Sequence, residues 1–407
     1  MTAASNPPAI RPPALAVLGG AFATQCAAAV GFWSYSLLAP ELAAETGLND
    51  RDYGLATSFI FLGTFLSSGF TGSLVSRFGG MGTIALVLAG MGAAVLLALA
   101  ASWPVVMLSA FLFGIAYGPQ GAVGMTLVTQ SAERRVRGLF LSIRHSSVPA
   151  AAAVIGRLLP PLMAWAGWRA GVLSVSAALI AAVGFTLLAR PLFRLGSEGR
   201  AKVVAAEPRS LGAAVRDRLR VPRELRFLWG AGLAFAVTQN AVTFFSYLYL
   251  LEVAGLDPVA AGIFASNLHV TALIGRPLLG WVCDRTGRPQ LVLVMIALMA
   301  VVTLVAVLQV DAGTPAWVLV PLAAACGLAG QCWNPVFVTA MSFKVADADL
   351  AEMNGRAFAF LSLGWMSAAP VIWGLIEISG GYTLPFLLVA GANLVVAGVL
   401  AVSQEGR

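Results

Sequence analysis

Apolar runs of about 20 residues recur along the whole chain, each closed by glycine, proline or charge. Read in order they predict twelve spans, at 14–39, 53–76, 82–101, 103–130, 138–165, 169–189, 227–251, 258–283, 289–310, 315–341, 356–377 and 382–403. A helix rises about 1.5 Å per residue, so runs of this length are matched to a hydrocarbon layer about 30 Å thick. A soluble core would interleave polar faces, whereas here the charged positions gather in the connections. The pattern predicts an all-α membrane protein whose even number of spans leaves both termini on one side.

Composition agrees. Of 407 residues 59% are hydrophobic and 11% charged, with a mean hydropathy of +0.86, where a soluble domain carries about 25% charged residues. The isoelectric point of 9.7 therefore reports membrane topology, and no nucleic-acid partner is expected. Cys26, Cys283, Cys326 and Cys332 lie in or beside apolar runs with no CxxC spacing, which reads as packing and not as a disulfide or metal site. The opening MTAASNPPAIRPP leads into the first span with no A-x-A cleavage pattern, as a short tail does.

Charge gives the side. Of 25 Lys and Arg, 20 fall at the termini and even-numbered connections, while the opposite connections hold only Arg51 and Arg169. Positive residues stay inside, so both termini are expected in the cytoplasm, and the protein in the cell (inner) membrane. The one long connection, 190–226, is rich in Arg and divides the chain into an N-terminal half, 1–189, and a C-terminal half, 227–407. Leu211, Val215 and Leu219 recur within it at every fourth position, as in an amphipathic helix on an anionic leaflet, and a solvated linker fits equally.

The halves repeat. GSLVSRFGGM at 72–81 recurs as GWVCDRTGRP at 280–289, an offset of 208 residues, and Gly138 and Gly355 occupy matching places after spans four and ten. Gly167-Trp168 and Gly381-Tyr382 match at the next turn. A parallel duplication of six spans accounts for all three.

GWVCDRTGR (280–288) resembles the signature loop of the major facilitator superfamily, Gly-x-Leu-x-Asp-Arg-x-Gly-Arg. The first copy departs from it, with Ser76 in place of the Asp and Gly80-Met81 in place of the basic pair. The resemblance implies twelve transmembrane helices in two pseudo-symmetric six-helix bundles, with spans one, four, seven and ten lining a central cavity. It also implies a gating loop made of Gly72, Arg77, Gly280, Asp284, Arg285, Gly287 and Arg288. IGRPLLGW (274–281) further resembles the Arg-Pro-x-x-Gly of the monocarboxylate transporter and oxalate/formate antiporter families, which implies that Arg276 meets a substrate carboxylate. VGFWSY (30–35) is similar to a first-span motif of the monocarboxylate transporters, but Val30 stands where they carry an acid.

Independently of any family, Arg144, Arg157 and Arg276 are the three basic residues left inside spans. Each costs about 2.5–3.5 kcal/mol at a helix centre, and such residues serve a polar cavity, a function or an ion pair. All 18 acidic residues fall in connections or at span ends, so no midspan carboxylate pairs with them. Arg144 and Arg276 lie about 10 and 12 Å from the cytoplasmic ends of spans five and eight, at matching depth in opposite halves. Two planar guanidinium forks, one from each half, suit an anion. The alternative is bonding to backbone carbonyls, since Pro149 frees that of His145 and Pro277 that of Leu273. Arg157 reads as a residue that reaches the outer headgroups or Glu377.

His145 and His269, the only histidines, accompany these arginines and are the candidates for proton coupling. Gln25, Tyr117, Gln120, Gln239, Asn240, Gln331 and Asn334 are candidates to orient a substrate, and each fits an ordinary interhelical bond as well. Gly114, Gly118, Gly121 and Gly124 form a close-packing face on span four.

These readings predict a secondary transporter of a small organic anion, a mono- or dicarboxylate, working by alternating access as a monomer in the bilayer, by symport with protons or as an antiporter. A drug or cation efflux carrier would call for a buried carboxylate, and a transporter-like sensor is the alternative outside transport. No HExxH, GxSxG or GxxxxGK[ST] occurs, so neither an enzyme nor ATP drive is expected, and no cofactor or metal.

Overall fold

A computed structural model describes residues 12–47, 55–67, 70–133, 136–194, 220–346 and 349–405. Among the described residues the ordered elements are helical throughout. In the N-terminal half they are α1 Pro12–Thr46, α2 Ala56–Ser67, α3 Thr71–Leu96, α4 Trp103–Ser131, α5 Arg137–His145, α6 Ser147–Ala166 and α7 Trp168–Arg194. In the C-terminal half they are α8 Arg226–Asn240, α9 Ser246–Glu252, α10 Pro258–Thr286, α11 Pro289–Val307, α12 Ala316–Gln331, α13 Trp333–Ser342, α14 Leu350–Ser379 and α15 Thr383–Glu405. Spans five and ten are thus each two helices, α5 with α6 and α12 with α13. Span seven is α8 and α9 joined by a π-turn at Ala241–Phe245.

Ten of these segments are long and apolar enough to cross a membrane by length and composition. The other two are the short α2 and the α10 span, whose hydropathy is lowered by Asn267, His269 and Arg276. The linker residues 195–219, with the predicted amphipathic piece up to that point, lie outside the described residues, as do 1–11 and 406–407.

The first signature stretch corrects the expected boundaries. Residues 71–78 are helical, and the sharp reversal comes at Gly79, with φ of 71°. Gly287, with φ of 65°, makes the reversal after α10, 208 residues later. Left-handed backbone suits glycine because no Cβ meets the carbonyl. Most of the predicted gating loop is therefore helix: Gly72 and Arg77 lie in the part of α3 before Gly79, Gly280, Asp284 and Arg285 lie in the last two turns of α10, and Gly287 and Arg288 form the turn.

Apolar packing builds one core from α1 to α7, a second from span seven to α15, and a third that joins the halves through Phe140, Leu141, Trp229, Trp333 and Trp365. Leu158, Trp165, Val302 and Ile378 stand exposed on outer faces, where lipid would cover them. At the side opposite the termini each half closes with a carboxylate. Glu45 accepts from Trp168 Nε1 at 2.6 Å and pairs with Arg169. Glu252 accepts from the Tyr382 hydroxyl at 2.7 Å. The two matched Gly-aromatic turns therefore do the same work.

Candidate functional site

Three prolines shape the centre by removing a backbone N–H. Pro149 leaves the carbonyl of His145 without its helical partner, and span five breaks there, between α5 and α6. Pro335 does the same to the carbonyl of Gln331, where span ten breaks at Cys332. Pro370, inside α14, frees the carbonyl of Met366. Each freed carbonyl is taken by a side chain from another helix.

Arg276 takes two of them. Its Nε donates to the Gln331 carbonyl at 2.9 Å, its Nη1 to the His145 carbonyl across the interface between halves, and its Nη2 to Gln331 Oε1 at 3.3 Å. Ser58 of α2 donates to the Met366 carbonyl at 3.0 Å, again across the halves. So an α2 donor meets α14, and an α10 donor meets span five. The acceptors are those that prolines release, because a carbonyl already in a helical ladder offers a poorer lone pair to a neighbour.

Arg144, in α5, stays within its own half. Its Nη2 donates to Gln25 Oε1 at 2.7 Å and to the Gly121 carbonyl at 3.2 Å. Gln25 in turn donates to the Tyr117 hydroxyl at 3.2 Å. Gly124 lies flat against the guanidinium, where a Cβ would stand 2.5 Å from Nη2. Arg144 Nε has no partner among the described residues. Arg144 is 1% exposed and Arg276 3%. Because Arg276 bonds the carbonyl of the residue after Arg144, the two arginines share one depth.

Around them the predicted residues divide. Gln331 joins Arg276 to His269, its Nε2 lying 3.2 Å from the imidazole Nδ1. His269 also meets the edge of Trp33 from the other half, with ring centroids 5.6 Å apart. Among the described residues His145, which is buried, has no partner for its Nε2, and Gln120 none for either amide atom. Gln25 and Gln331 therefore bond the arginines directly, and Tyr117 and His269 join the network through them. Gln239, Asn240 and Asn334 do not: Gln239 Oε1 accepts from Trp333 and Trp365 at 3.3 and 3.1 Å, Asn240 bonds its own helix at Ala236, and Asn334 is half-buried. Arg157 is exposed on the outer face of α6. Of the span-four glycines, Gly114 and Gly118 pack against α2, Gly124 makes room for the Arg144 guanidinium, and Gly121 faces Phe358 of α14 while its carbonyl accepts from Arg144.

Residues that sequence reading passed over include Ser58, Phe61 and Trp365. The last two stack at 5.1 Å across the halves, and Phe32 meets Phe61 at 5.8 Å. The signal for Ser58 was Pro370, four residues after the carbonyl it reaches.

Toward the expected cytoplasmic side, Asp284 holds the start of α5. Its carboxylate accepts from the N–H groups of Gly138 and Leu139 at 3.2 and 2.8 Å, two of the amides that a helix start leaves unbonded. Val136 gives that helix no side-chain cap of its own. The approach is close because Gly138 and Gly280 face it. The first copy makes no such contact: Ser76 is exposed and bonds Ser73 of its own turn. The halves thus touch on both sides of the arginine layer, through Asp284 on one and Trp33 with His269 on the other.

Residues 21–347 match the family model described as Major Facilitator Superfamily. The chain is 27% identical over 293 residues to the probable nitrate/nitrite transporter NarK2 of Mycobacterium tuberculosis, covering 69% of this chain and 70% of that one. It is 27% identical over 269 residues to Monocarboxylate transporter 13 of Bos taurus, covering 65% and 60%. Against the probable sulfoacetate transporter SauU of Cupriavidus necator it is 25% identical over 396 residues, covering 90% and 87%. In fold it is similar to FucP in its outward conformation, with a TM-score of 0.70 at 17% identity over 95% of this chain and 98% of that one. It is also similar to the human organic anion transporter MFSD10, with 0.66 at 15% identity over 96% and 100%. With the family model covering most of its length, this chain belongs to the Major Facilitator Superfamily and is a multi-pass membrane protein, a secondary transporter and not an enzyme.

Proposed function

We propose that the chain carries a small organic anion with a carboxylate or similar acid group, by alternating access of its two halves, 1–189 and 227–407. The observation that carries this reading is the pair Arg144 and Arg276, both buried at one depth from opposite halves, with neither bonded to a carboxylate among the described residues. Two cations in a site closed from water call for an anion between them. The aromatic groups Phe32, Trp33, Phe61 and Trp365 on either side of the interface suit a short carbon skeleton. That the relatives above are named for nitrate, monocarboxylate and sulfoacetate transport supports the charge sign. A cation carrier lacks support, because no described carboxylate lies near the site.

The same reading places both termini in the cytoplasm of the cell, from the Arg distribution, and makes the working unit one chain, since each arginine comes from a different half of it. Moving one uncompensated negative charge inward against 100 mV costs about 2.3 kcal/mol, so uptake needs a proton or an exchanged anion. His269 is the proton site in the first case: it touches Gln331, which also holds Arg276, so its protonation and the occupancy of Arg276 share one side chain.

Counterflow of labelled lactate, pyruvate, oxalate, malonate, sulfoacetate and nitrate in proteoliposomes tests the reading. Carboxylate transport should vanish in Arg144→Gln and in Arg276→Gln; its survival in both would overturn the proposal. Uptake into vesicles with no internal anion, driven by an imposed proton gradient and lost in His269→Gln, would identify symport, and its absence would leave exchange.

A further inference from the structure

Gln120 is 0% exposed, at the middle of α4, and neither its Nε2 nor its Oε1 has a partner among the described residues. A buried carboxamide in that condition costs about 1–3 kcal/mol for each orphaned group. Helical spacing gathers Tyr117, Gln120, Gly121 and Gly124 within an arc of about 100°. Three of those four touch the arginine network: Tyr117 through Gln25, Gly121 through its carbonyl, and Gly124 beneath the guanidinium. Gln120 shares their face and is the member with nothing bonded to it.

The unspent groups on this face are specific in kind. Arg144 Nε is a donor without a partner, and Gln120 offers one donating and one accepting end. Rotating the amide by 180° exchanges those ends without changing the tally. An anion with acceptors alone, such as nitrate or acetate, would satisfy the donors and leave the Gln120 carbonyl bare. A ligand donor is needed for it. An ammonium group would be repelled by two guanidinium groups, but a hydroxyl is neutral and small. Gln25 and Gln331 cannot take this part, since their carboxamides are already bonded at both ends.

We propose that Gln120 selects, among small carboxylates, those with a hydroxyl beside the carboxylate, so that the preferred cargo is a 2-hydroxy acid. The inference rests on the anion reading above and narrows it. A site that bonds a substrate hydroxyl rejects the analogue lacking it, because its own polar group is then stranded.

The test is counterflow by the full chain in proteoliposomes with labelled lactate, pyruvate and propionate, the last being lactate without its hydroxyl. Lactate should exceed both others by at least about tenfold in initial rate at low concentration. In Gln120→Met, which keeps length and removes both polar ends, the lactate-to-propionate ratio should fall to near one while propionate is still carried. A general packing defect would lower all three rates together and leave the ratio in place. A wild-type ratio near one overturns the inference with no variant needed, as does a ratio that survives in Gln120→Met. If carboxylates are carried and lost in the arginine variants while the hydroxyl is ignored, the Gln120 role alone fails. If no carboxylate is carried, the anion reading fails with it.

Discussion

Arg144 and Arg276 lie at one depth and are buried alike, yet their partners differ in kind. Arg144 bonds Gln25 and the Gly121 carbonyl, both in its own half, and keeps Nε unused. Arg276 spends its fork on Gln331 and, across the interface, on the His145 carbonyl. One arginine is held ready within a half, and the other ties the halves together. On the anion reading proposed above, an anion that drew Arg276 away would release the His145 carbonyl, so that occupancy and closure would compete for the same guanidinium. The cleanest way to break this comparison is to keep the charge and remove the fork. Arg276→Lys should cost roughly a hundredfold in transport rate, since it loses several charge-assisted bonds of about 1.5–3 kcal/mol each. Arg144→Lys should act mainly on the half-saturating concentration, raising it by roughly tenfold. Initial rates across a concentration series decide, and equal effects of both variants on both parameters would remove the distinction.

Gly124 sharpens the Arg144 side. A Cβ there would stand 2.5 Å from Nη2 and 2.8 Å from Nε, so Gly124→Ala must push the guanidinium out of its seat. Alanine is the better helix former by about 1 kcal/mol, so the protein should fold at least as well while transport falls about tenfold. Thermal stability of the purified protein and counterflow, measured together, separate displacement of Arg144 from damage to the fold.

The positions of the spans were readable because lipid imposes length and composition on a helix, and the predicted and observed limits agree within a few residues over most of the chain. The depth match of the two arginines was readable for the same reason: rise per residue is fixed. Direction was harder. Gln239 and Asn240 sit in span seven as plausibly as Gln331 sits in span ten, yet Gln239 serves two tryptophan N–H groups and Asn240 its own helix. Which way an amide turns depends on neighbours from other spans, which no single run of sequence shows. Pro149 was legible as a freed carbonyl, and the structure adds that the arginine using it is Arg276 and not its neighbour Arg144.

Pro149→Ala tests that link. Alanine restores an N–H to the His145 carbonyl four residues earlier and should raise stability, since proline costs up to about 3 kcal/mol inside a helix. The carbonyl keeps a second lone pair, so Arg276 would be weakened in its hold and not excluded. The expected outcome is a more heat-stable protein that transports about fivefold more slowly, because the break between α5 and α6 has been annealed. A variant that is both more stable and fully active would show that the freed carbonyl is incidental.

The smallest effect belongs to the two signature stretches, which repeat the lesson of the arginines at the Asp284 end of the molecule. Asp284 caps α5 from the opposite half, and Ser76, its counterpart, bonds only its own turn. A cap is worth about 0.5–2 kcal/mol, and the helix start adds attraction for a negative charge. Asp284→Asn removes that charge, and the contact with Gly138 and Leu139 should loosen by roughly a factor of a few. Ser76→Asp restores the family's residue in the first copy, where the start of α14 is the equivalent target and its Asp349 makes no side-chain cap. If the missing carboxylate alone explains the asymmetry, Ser76→Asp should slow opening about twofold and partly rescue Asp284→Asn. Reactivity of Cys283, buried beside Asp284, toward a maleimide reports the opening. An unchanged rate in Ser76→Asp would mean that the backbone at Gly79, and not the lost acid, keeps the first copy apart.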